Sequence, residues 1–304
     1  MLQRVKAEGQ ADGHGQAGNW RLEGTVEEAR AKLHNEPFLV SHDLHKSDLF
    51  DVRRLVEVAK SAAHRPGDVY YDAGDVAIGD KWGQIPVPDM PVDQVIERIE
   101  HSGAWVILKQ VEKDPAYAAV LNEFADFVRR VAGPDLARDL LKPEFLVIVS
   151  SPGRITPFHF DAEINFLVQV RSEKQVWICD PHDRSIVTQS DIEAYYSGVG
   201  TAGKWRPEFE SKARHVVLKP GSAVHIPTHA AHWVRNGSGV SVSLSLNFEH
   251  PGWRNRDVYL VNNVLKKLGM RPSLPGKVHA VDVAKSVAWQ SAKRVGKVFG
   301  YTRA

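Results

Sequence analysis

Between Phe145 and Phe248 the chain alternates short apolar runs with turn signals and leaves room for little helix. One run constrains the rest. In Val240-Ser-Val-Ser-Leu-Ser-Leu-Asn247 the residues Val240, Val242, Leu244 and Leu246 fall on one side of an extended chain, and Ser241, Ser243, Ser245 and Asn247 on the other, because successive strand side chains point to opposite faces. A polar stripe on an antiparallel strand ordinarily faces solvent. This one is built of small residues without Lys or Glu, which suits a narrow polar interior that holds a ligand. Around it, residues 164–170 read as a strand and Arg171-Ser-Glu-Lys174 as a turn. Residues 175–180 then return as the second strand of a hairpin, ended by Pro181, and Pro220-Gly221 turns into a short apolar strand. One helical insertion is expected near 190–197.

The preceding half reads as helices with a few strands. Thr25-Val-Glu-Glu28 is a capping box that opens a helix to about residue 33. A strand at 37–40 follows, then a helix from Ser47 or Asp48 through Ala63 with Leu49, Val52, Leu55, Val56 and Ala59 inward. Strands are expected at 69–71 and 104–108, with a short helix near 92–101 between them. Asp114-Pro115 starts a helix that ends near Gly133. The loop from Asp75 to Met90 is long enough to cover a pocket mouth. Helices followed by many short strands predict a mainly β fold with flanking helices, a jelly-roll or double-stranded β-helix. The expected division is a tail at 1–24, the β domain with its helical N-terminal part at 25–253, and a basic helical appendage at 254–304.

The chemistry concentrates in Thr156-Pro-Phe-His-Phe-Asp161, answered 71 residues later by His232. A His-x-Asp pair plus a distant His is the sequence form of the 2-His-1-carboxylate face, which holds Fe(II) and leaves positions open for co-substrate and O2. The pair alone is a weak signal; both ends lie at strand edges, where a barrel mouth can bring them together. His225, His229 and His232 compete for the third place, and the residues alone leave that choice open. His229 is placed to line the mouth or to orient a ligand. His42, His45 and His182 have no partner at ligand spacing and read as surface or loop residues.

The runs 156–181 and 220–248 resemble the cupin-type JmjC oxygenases, most of all the asparaginyl hydroxylase that modifies hypoxia-inducible factor, over roughly residues 145–250. The resemblance implies the double-stranded β-helix and places Fe(II) on His159, Asp161 and His232. It puts Thr156, three residues before the first His, and Lys174, fifteen after it, on the distal carboxylate of 2-oxoglutarate. Asn165 and Asn247, in Glu163-Ile-Asn-Phe and Ser-Leu-Asn-Phe248, match asparagines near that co-substrate. The implied activity is a dioxygenase, a hydroxylase that couples decarboxylation of 2-oxoglutarate to C–H oxidation. Physically, a dianionic 2-oxoacid needs a fixed cation at its far end. Lys174 begins a strand on the hairpin of the ligand pair, and an ammonium beside a hydroxyl serves one carboxylate less rigidly than an Arg fork. The family's aromatic pair before the second His is Ala230-Ala231 here, and its aromatic before Ile-Pro is His225; both departures bear on substrate selection. The prime substrate, whether protein side chain, lipid, glycan or small metabolite, stays open. The rival readings are a metal-binding cupin that uses no 2-oxoacid, a non-catalytic ligand sensor and, ranked last and resting on the basic tail alone, a nucleic-acid-binding protein.

Composition narrows the setting. The single Cys179 excludes an intrachain disulfide and a cysteine-rich zinc site, in keeping with a cytoplasmic location. No stretch approaches a membrane span, and the start lacks the apolar core of a secretory signal. Residues 254–304 carry eleven Lys/Arg against two Asp/Glu, leaving 28 against 35 in residues 1–253. An acidic body argues against nucleic acid as a partner. From Val281 to Phe299 the pattern is amphipathic. Ala284, Val287, Ala288, Ala292, Val295, Val298 and Phe299 share one face, opposite Asp282, Ser286, Gln290, Lys293, Arg294 and Lys297. Such a stripe packs on its own barrel, pairs with a second copy in a homodimer, as in the resembled hydroxylase, or lies on a membrane surface.

Overall fold

The structure, a computed structural model, describes residues 18–81, 84–138, 140–198, 203–249 and 253–298. Its strands in chain order are β1 (Arg21–Leu22), β2 (Leu39–Ser41), β3 (Val69–Ala73), β4 (Ala104–Leu108), β5 (Leu141–Ser150) and β6 (Ile155–His159). They continue with β7 (Ile164–Arg171), β8 (Lys174–Ile178), β9 (Arg214–Leu218), β10 (Ser222–Ile226), β11 (His232–Asn236) and β12 (Ser241–Glu249). Eight form one sheet in the order β1-β2-β10-β7-β12-β5-β4-β3, and four form a second, β6-β11-β8-β9. All pairings are antiparallel. Between the sheets lies an apolar layer in which Leu167, Val224 and Ile226 meet Val176, Ile178, Leu218 and Val234. This is the double-stranded β-helix expected from the strand pattern.

The helices are α1 (Val26–Lys32), α2 (Val52–Ala63), α3 (Val92–Glu97), α4 (Pro115–Ala137), α5 (Gln189–Tyr196), α6 (Trp253–Lys267) and α7 (His279–Val298). Val120, Leu121, Phe124 and Val128 of α4 bury the outer face of the large sheet, including Val242, Leu244 and Leu246 of β12. Phe124 stands edge-on to Phe166 at 5.1 Å, and each such aromatic contributes roughly 1.5–3 kcal/mol through burial. The serine face of β12 therefore looks the other way, into the interior, and both faces of the strand are buried.

Several elements differ from the sequence expectation. The helix expected from Ser47 breaks at Asp51, whose extended backbone (φ −69, ψ 140) separates a 3-10 turn at Asp48–Phe50 from α2. Helix α4 runs beyond Gly133, which kinks it at φ 79, ψ 171 ahead of Pro134. A side chain at Gly133 would meet the Arg30 guanidinium at 2.9 Å, where that group donates to Val131 O. The run 164–180 is not a hairpin. Ser172, in left-handed backbone (φ 62), passes the chain from the large sheet to the small one, so β7 pairs with β10 and β12 while β8 pairs with β11 and β9. At the N-terminus the sheet already includes β1, with Arg21 opposite Ser41, inside the segment read as a tail; residues 1–17 of that segment lie outside the described residues.

The loop from Asp75 to Met90 touches an outer strand of each sheet: Ala73 N of β3 donates to Pro86 O at 3.0 Å and Phe158 N of β6 donates to Ile78 O at 2.9 Å. At the other end, Lys266 of α6 pairs with buried Glu193 of α5 at 2.8 Å. Helix α7 docks on α6 by its polar side: Gln290 donates to Asp257 at 2.6 Å, and Asp282 and Lys285 are buried. The Ala/Val stripe expected to be covered is turned outward, with Val287 60% exposed. Phe299, and the side chains of Val295, Lys297 and Val298, lie outside the described residues. No helix among the described residues is long and apolar enough to cross a membrane.

Arg154, in the turn between β5 and β6, pairs with Asp72 of β3 and donates to Gly103 O at 3.0 Å, and both partners of the pair are almost fully buried. Burial pushes the Asp72 carboxyl up and the Arg154 guanidinium down, the mutual attraction opposing both shifts. Removing one partner leaves an uncompensated buried charge. Asp72→Ala is expected to lower the unfolding free energy by about 3–5 kcal/mol, read from the urea midpoint at constant slope.

Candidate metal centre

Strand β11 lies beside β6 with His232 directly opposite His159. Asp161 follows two residues past His159, where β6 has ended and the chain is free to turn its carboxylate back. His159 Nε2 stands 4.0 Å and His232 Nε2 3.8 Å from Asp161 Oδ2, and one donor atom from each of the three lies within 4.8 Å of the others. The remaining ring nitrogens are held by backbone carbonyls: Nδ1 of His159 by Pro157 O at 2.7 Å, and Nδ1 of His232 by Ala230 O at 3.0 Å. A carbonyl can only accept, so each Nδ1 carries the hydrogen and each Nε2 keeps its lone pair toward Asp161. Burial pushes both imidazoles down to about 4, leaving them neutral at pH 7, and raises the Asp161 carboxyl. Two neutral imidazoles and a carboxylate at this spacing fit one divalent ion, whose N and O ligands sit at about 2.0–2.2 Å.

The competing histidines are placed elsewhere. His225 lies on the helix side of β10, between Phe38 and Phe166 at 4.9 and 4.8 Å, with Nδ1 against Asn165 O. His229 (φ 63) donates its backbone N–H to Asp161 O at 2.9 Å, and its Nε2 meets the Tyr196 hydroxyl at 2.9 Å. It thus holds the main chain of Asp161 without joining the donor cluster. His42, read as a surface or loop residue, is buried, its Nδ1 accepting from Leu44 N.

The three donors open on a cavity of about 210 Å³ whose lining also includes Thr156, Lys174, Asn165 and Asn247. Lys174 is the first residue of β8, opposite Asn236 of β11, so it shares a strand partner with His159 although the hairpin is absent. It is 2% exposed, and its ammonium donates to Ser243 of the inward serine face. Burial alone pushes it down to about 7, and no carboxylate pairs with it among the described residues.

Sequence reasoning did not single out two further polar residues of the wall, Glu144 and Glu163. Glu144 was detectable: in β5 it alternates with the core residues Phe145, Val147 and Val149. It accepts from Asn247 Nδ2 at 3.3 Å; Ser245 Oγ joins Asn247 Oδ1 at 3.1 Å and Asn165 Nδ2 at 2.8 Å. Burial, then the carboxylates of Asp161, Glu144 and Glu249, push Glu163 up to about 7.

Neither a protein-family model nor a curated protein sequence matches the chain. Two facing antiparallel sheets with this site between them define a cupin/JmjC-type double-stranded β-helix. An X-ray structure of YcfD from Escherichia coli shares that fold, with a TM-score of 0.53 and 13% sequence identity over 90% of this chain and 68% of that one. Two further E. coli structures are similar at 12% identity and TM-scores of 0.49: the ribosomal oxygenase YcfD, and YcfD in complex with cobalt and 2-oxoglutarate. They cover 90% of this chain and 67% and 68% of theirs.

The Lys174 ammonium has a measurable signature. Between its folded value near 7 and its ordinary value of 10.5, the unfolded chain holds a proton that the folded chain lacks. Stability therefore rises as pH climbs through that window, and below pH 7 the full cost of a buried charge applies. Lys174→Met is expected to flatten the rise in ligand-free unfolding midpoint between pH 7 and 10, measured against wild type in the same buffers.

Proposed function

We propose that this chain is an Fe(II)- and 2-oxoglutarate-dependent oxygenase, a hydroxylase of the form R–H + O2 + 2-oxoglutarate → R–OH + succinate + CO2. The observation that carries the reading is Lys174, a buried ammonium with no counter-ion among the described residues, on the same cavity as two neutral imidazoles and a carboxylate. An unpaired buried charge is costly and is retained where an anion completes it. A metal-binding cupin that used no 2-oxoacid, or a sensor that only chelated, would have no need for it. The fold shared with YcfD, a protein described as a ribosomal oxygenase, is compatible with this reading.

His159, Asp161 and His232 would hold the metal, which when bound supplies the redox chemistry that joins O2 to the two organic substrates. The chain's own part is positioning. Lys174 and Thr156 receive the distal carboxylate, and Ser243 holds the ammonium in place. Asn165 and Asn247 line the space beside it. Leu167, Ile226 and Val234 keep the co-substrate end apolar and limit access of water. The carbonyls of Pro157 and Ala230 keep both rings in the ligating tautomer.

Anaerobic Fe(II) titration is expected to give one site in wild type, none in His232→Ala and one in His229→Ala. Retained iron binding in His232→Ala with loss in His229→Ala would reverse the ligand assignment. Wild type should convert 2-oxoglutarate slowly to succinate without a prime substrate, and Lys174→Ala should weaken 2-oxoglutarate binding roughly 10- to 150-fold, the worth of one charge-assisted hydrogen bond.

The outward face of α7 supports a homodimer, in a cytoplasmic setting consistent with the single buried Cys179. Val283 and Val287 are exposed beside a cavity of about 720 Å³ between α6 and α7, and an amphipathic helix is stabilised chiefly by covering its apolar side. Light scattering is expected to show a dimer for wild type and a monomer for Val283→Glu/Val287→Glu. A wild-type monomer at micromolar concentration that binds anionic vesicles would assign the face to a membrane surface instead.

A further inference from the structure

A second cavity, of about 330 Å³, lies outside the barrel and shares no lining residue with the one at the metal centre. Phe160 locates it. That ring belongs to the apolar cluster on the outer face of the small sheet, with Trp233 and Tyr259, and stands edge-on to His229 at 5.8 Å. Four segments wall the cavity. They are the turn after α1 with His34, the β8–α5 loop with His182 and Arg184, the β10–β11 loop with Thr228 and His229, and α6 with Asn255 and Tyr259.

The wall is a set of donors, and no Asp or Glu lines it. Carboxylates on neighbouring segments are engaged: Glu193 with Lys266 at 2.8 Å, Asp183 with Lys212 at 3.3 Å, and Asp180 with the His182 amide at 2.7 Å. Arg184, at the exposed rim, uses only Nη1, which donates to Pro181 O at 2.8 Å and Val187 O at 3.5 Å. Its Nε and Nη2 have no acceptor, and the guanidinium no carboxylate, among the described residues. Tyr259 is 8% exposed and stacks on Tyr196 at 5.3 Å, yet its hydroxyl makes no hydrogen bond among the described residues. The same holds for the side chains of Thr228 and Asn255. Polar groups left so deep without a partner call for one. Arg184 acts electrostatically on His229 and, ahead of Glu193 and Asp282, on Tyr259, so the cation and these donors face a common space.

We infer that this cavity is a phosphate site, for inorganic phosphate or a small phosphate ester. A carboxylate offers two oxygens in one plane, and an Arg fork meets it from one side. A phosphate offers strong acceptor oxygens in several directions and takes donors from all round, as these segments present them. Arg184 supplies the charge, and the Tyr259 and Thr228 hydroxyls and the Asn255 amide supply further bonds. The cavity is larger than one phosphate group, so the organic part of a small ester has room. The site stands apart from the oxygenase reading but reaches its machinery from behind. The His229 amide holds Asp161 O at 2.9 Å, so a bound phosphate would clamp α6 to the loop that leads into His232.

The test is calorimetry on the full chain, purified without added metal so that no phosphate oxygen can ligate one. Inorganic phosphate is the free anion, glycerol 3-phosphate the ester and acetate the planar carboxylate. Wild type is expected to bind one phosphate with a Kd at or below about 1 mM, and acetate at least about tenfold more weakly. Tighter binding of glycerol 3-phosphate than of phosphate assigns an ester; the reverse assigns the free anion. Arg184→Gln keeps an amide that can reach the Pro181 carbonyl, and Tyr259→Phe keeps the stacked ring. Each is expected to weaken phosphate binding roughly 10- to 150-fold, while Lys174→Met binds it as wild type does. Hydrogen exchange at residues 228–230 of wild type should slow when phosphate is added. Tyr259→Phe should melt with wild type in the absence of anions, which reports that it is folded. No saturable phosphate binding overturns the inference, and so does acetate binding as tight as phosphate. Loss of binding in Lys174→Met with retention in Arg184→Gln and Tyr259→Phe places the anion in the metal cavity and overturns it too.

Discussion

Strand β11 is five residues long, and the site is measured out along it. Its first residue, His232, lies against His159 on one side; its last, Asn236, lies against Lys174 on the other. Strands in a ladder sit about 4.7–4.9 Å apart and advance about 3.2–3.4 Å per residue, so two neighbours of one strand have a fixed separation. The distance from the metal-donor pair to the backbone of Lys174 is thus set by the ladder, and the bond to Ser243 holds the ammonium beyond it. A one-residue slip of β11 would turn His232 to the opposite face and break both relations together. The loop before the strand contributes too, through the His229 amide that holds the carbonyl of Asp161.

Around that ruler the molecule keeps charges and acceptors that do nothing for its stability. Among the described residues Lys174 has no counter-ion and Asn165 Oδ1 no donor, and Glu163 feels the carboxylates of Asp161, Glu144 and Glu249. Each is a local violation of the rule that buried polar groups are satisfied, and such violations collect where a protein binds something. The helix layer provides the compensating stability: Phe124, Phe127, Val128 and their neighbours pack the far side of the same sheet, whose β12 presents Leu244 and Leu246 to the core and Ser243 and Ser245 to the site. One strand therefore serves both ends of the balance by alternation alone.

That alternation is also why so much was legible. The strict two-residue period of β12, the capping box at Thr25 and the Asp114-Pro115 start of α4 are local signals, and they name their elements directly. The inward orientation of the serine face followed from what it lacks, long charged side chains. Partners across the sheets were not legible in the same way. A turn at Ser172 looks the same whether the next strand returns to its neighbour or crosses to another sheet, since only distant residues such as Val234 and Val216 decide which. Which face of α7 docks was left open for a related reason: Asp282 and Lys285 find hydrogen bonds at Gly276 N and Ser273, and these tether the helix by its polar side. His42 escaped because a buried histidine that accepts from the backbone two residues on leaves no mark in spacing. Glu144 escaped because the strand pattern was read only from Phe145, whereas β5 begins at Leu141.

The loop between Asp75 and Met90 has a role apart from any pocket. Strands β3 and β6 are the outermost members of their sheets on that side, and each gives a backbone N–H to the loop, at Pro86 O and Ile78 O. An uncovered strand border is a template on which another extended chain can grow, and proteins guard such borders by covering or charging them. Here a single irregular segment guards two borders at once, and one of them belongs to the strand that carries His159. A shortened loop would bare both, so the first symptom would be self-association of otherwise folded molecules, ahead of any loss of the barrel itself.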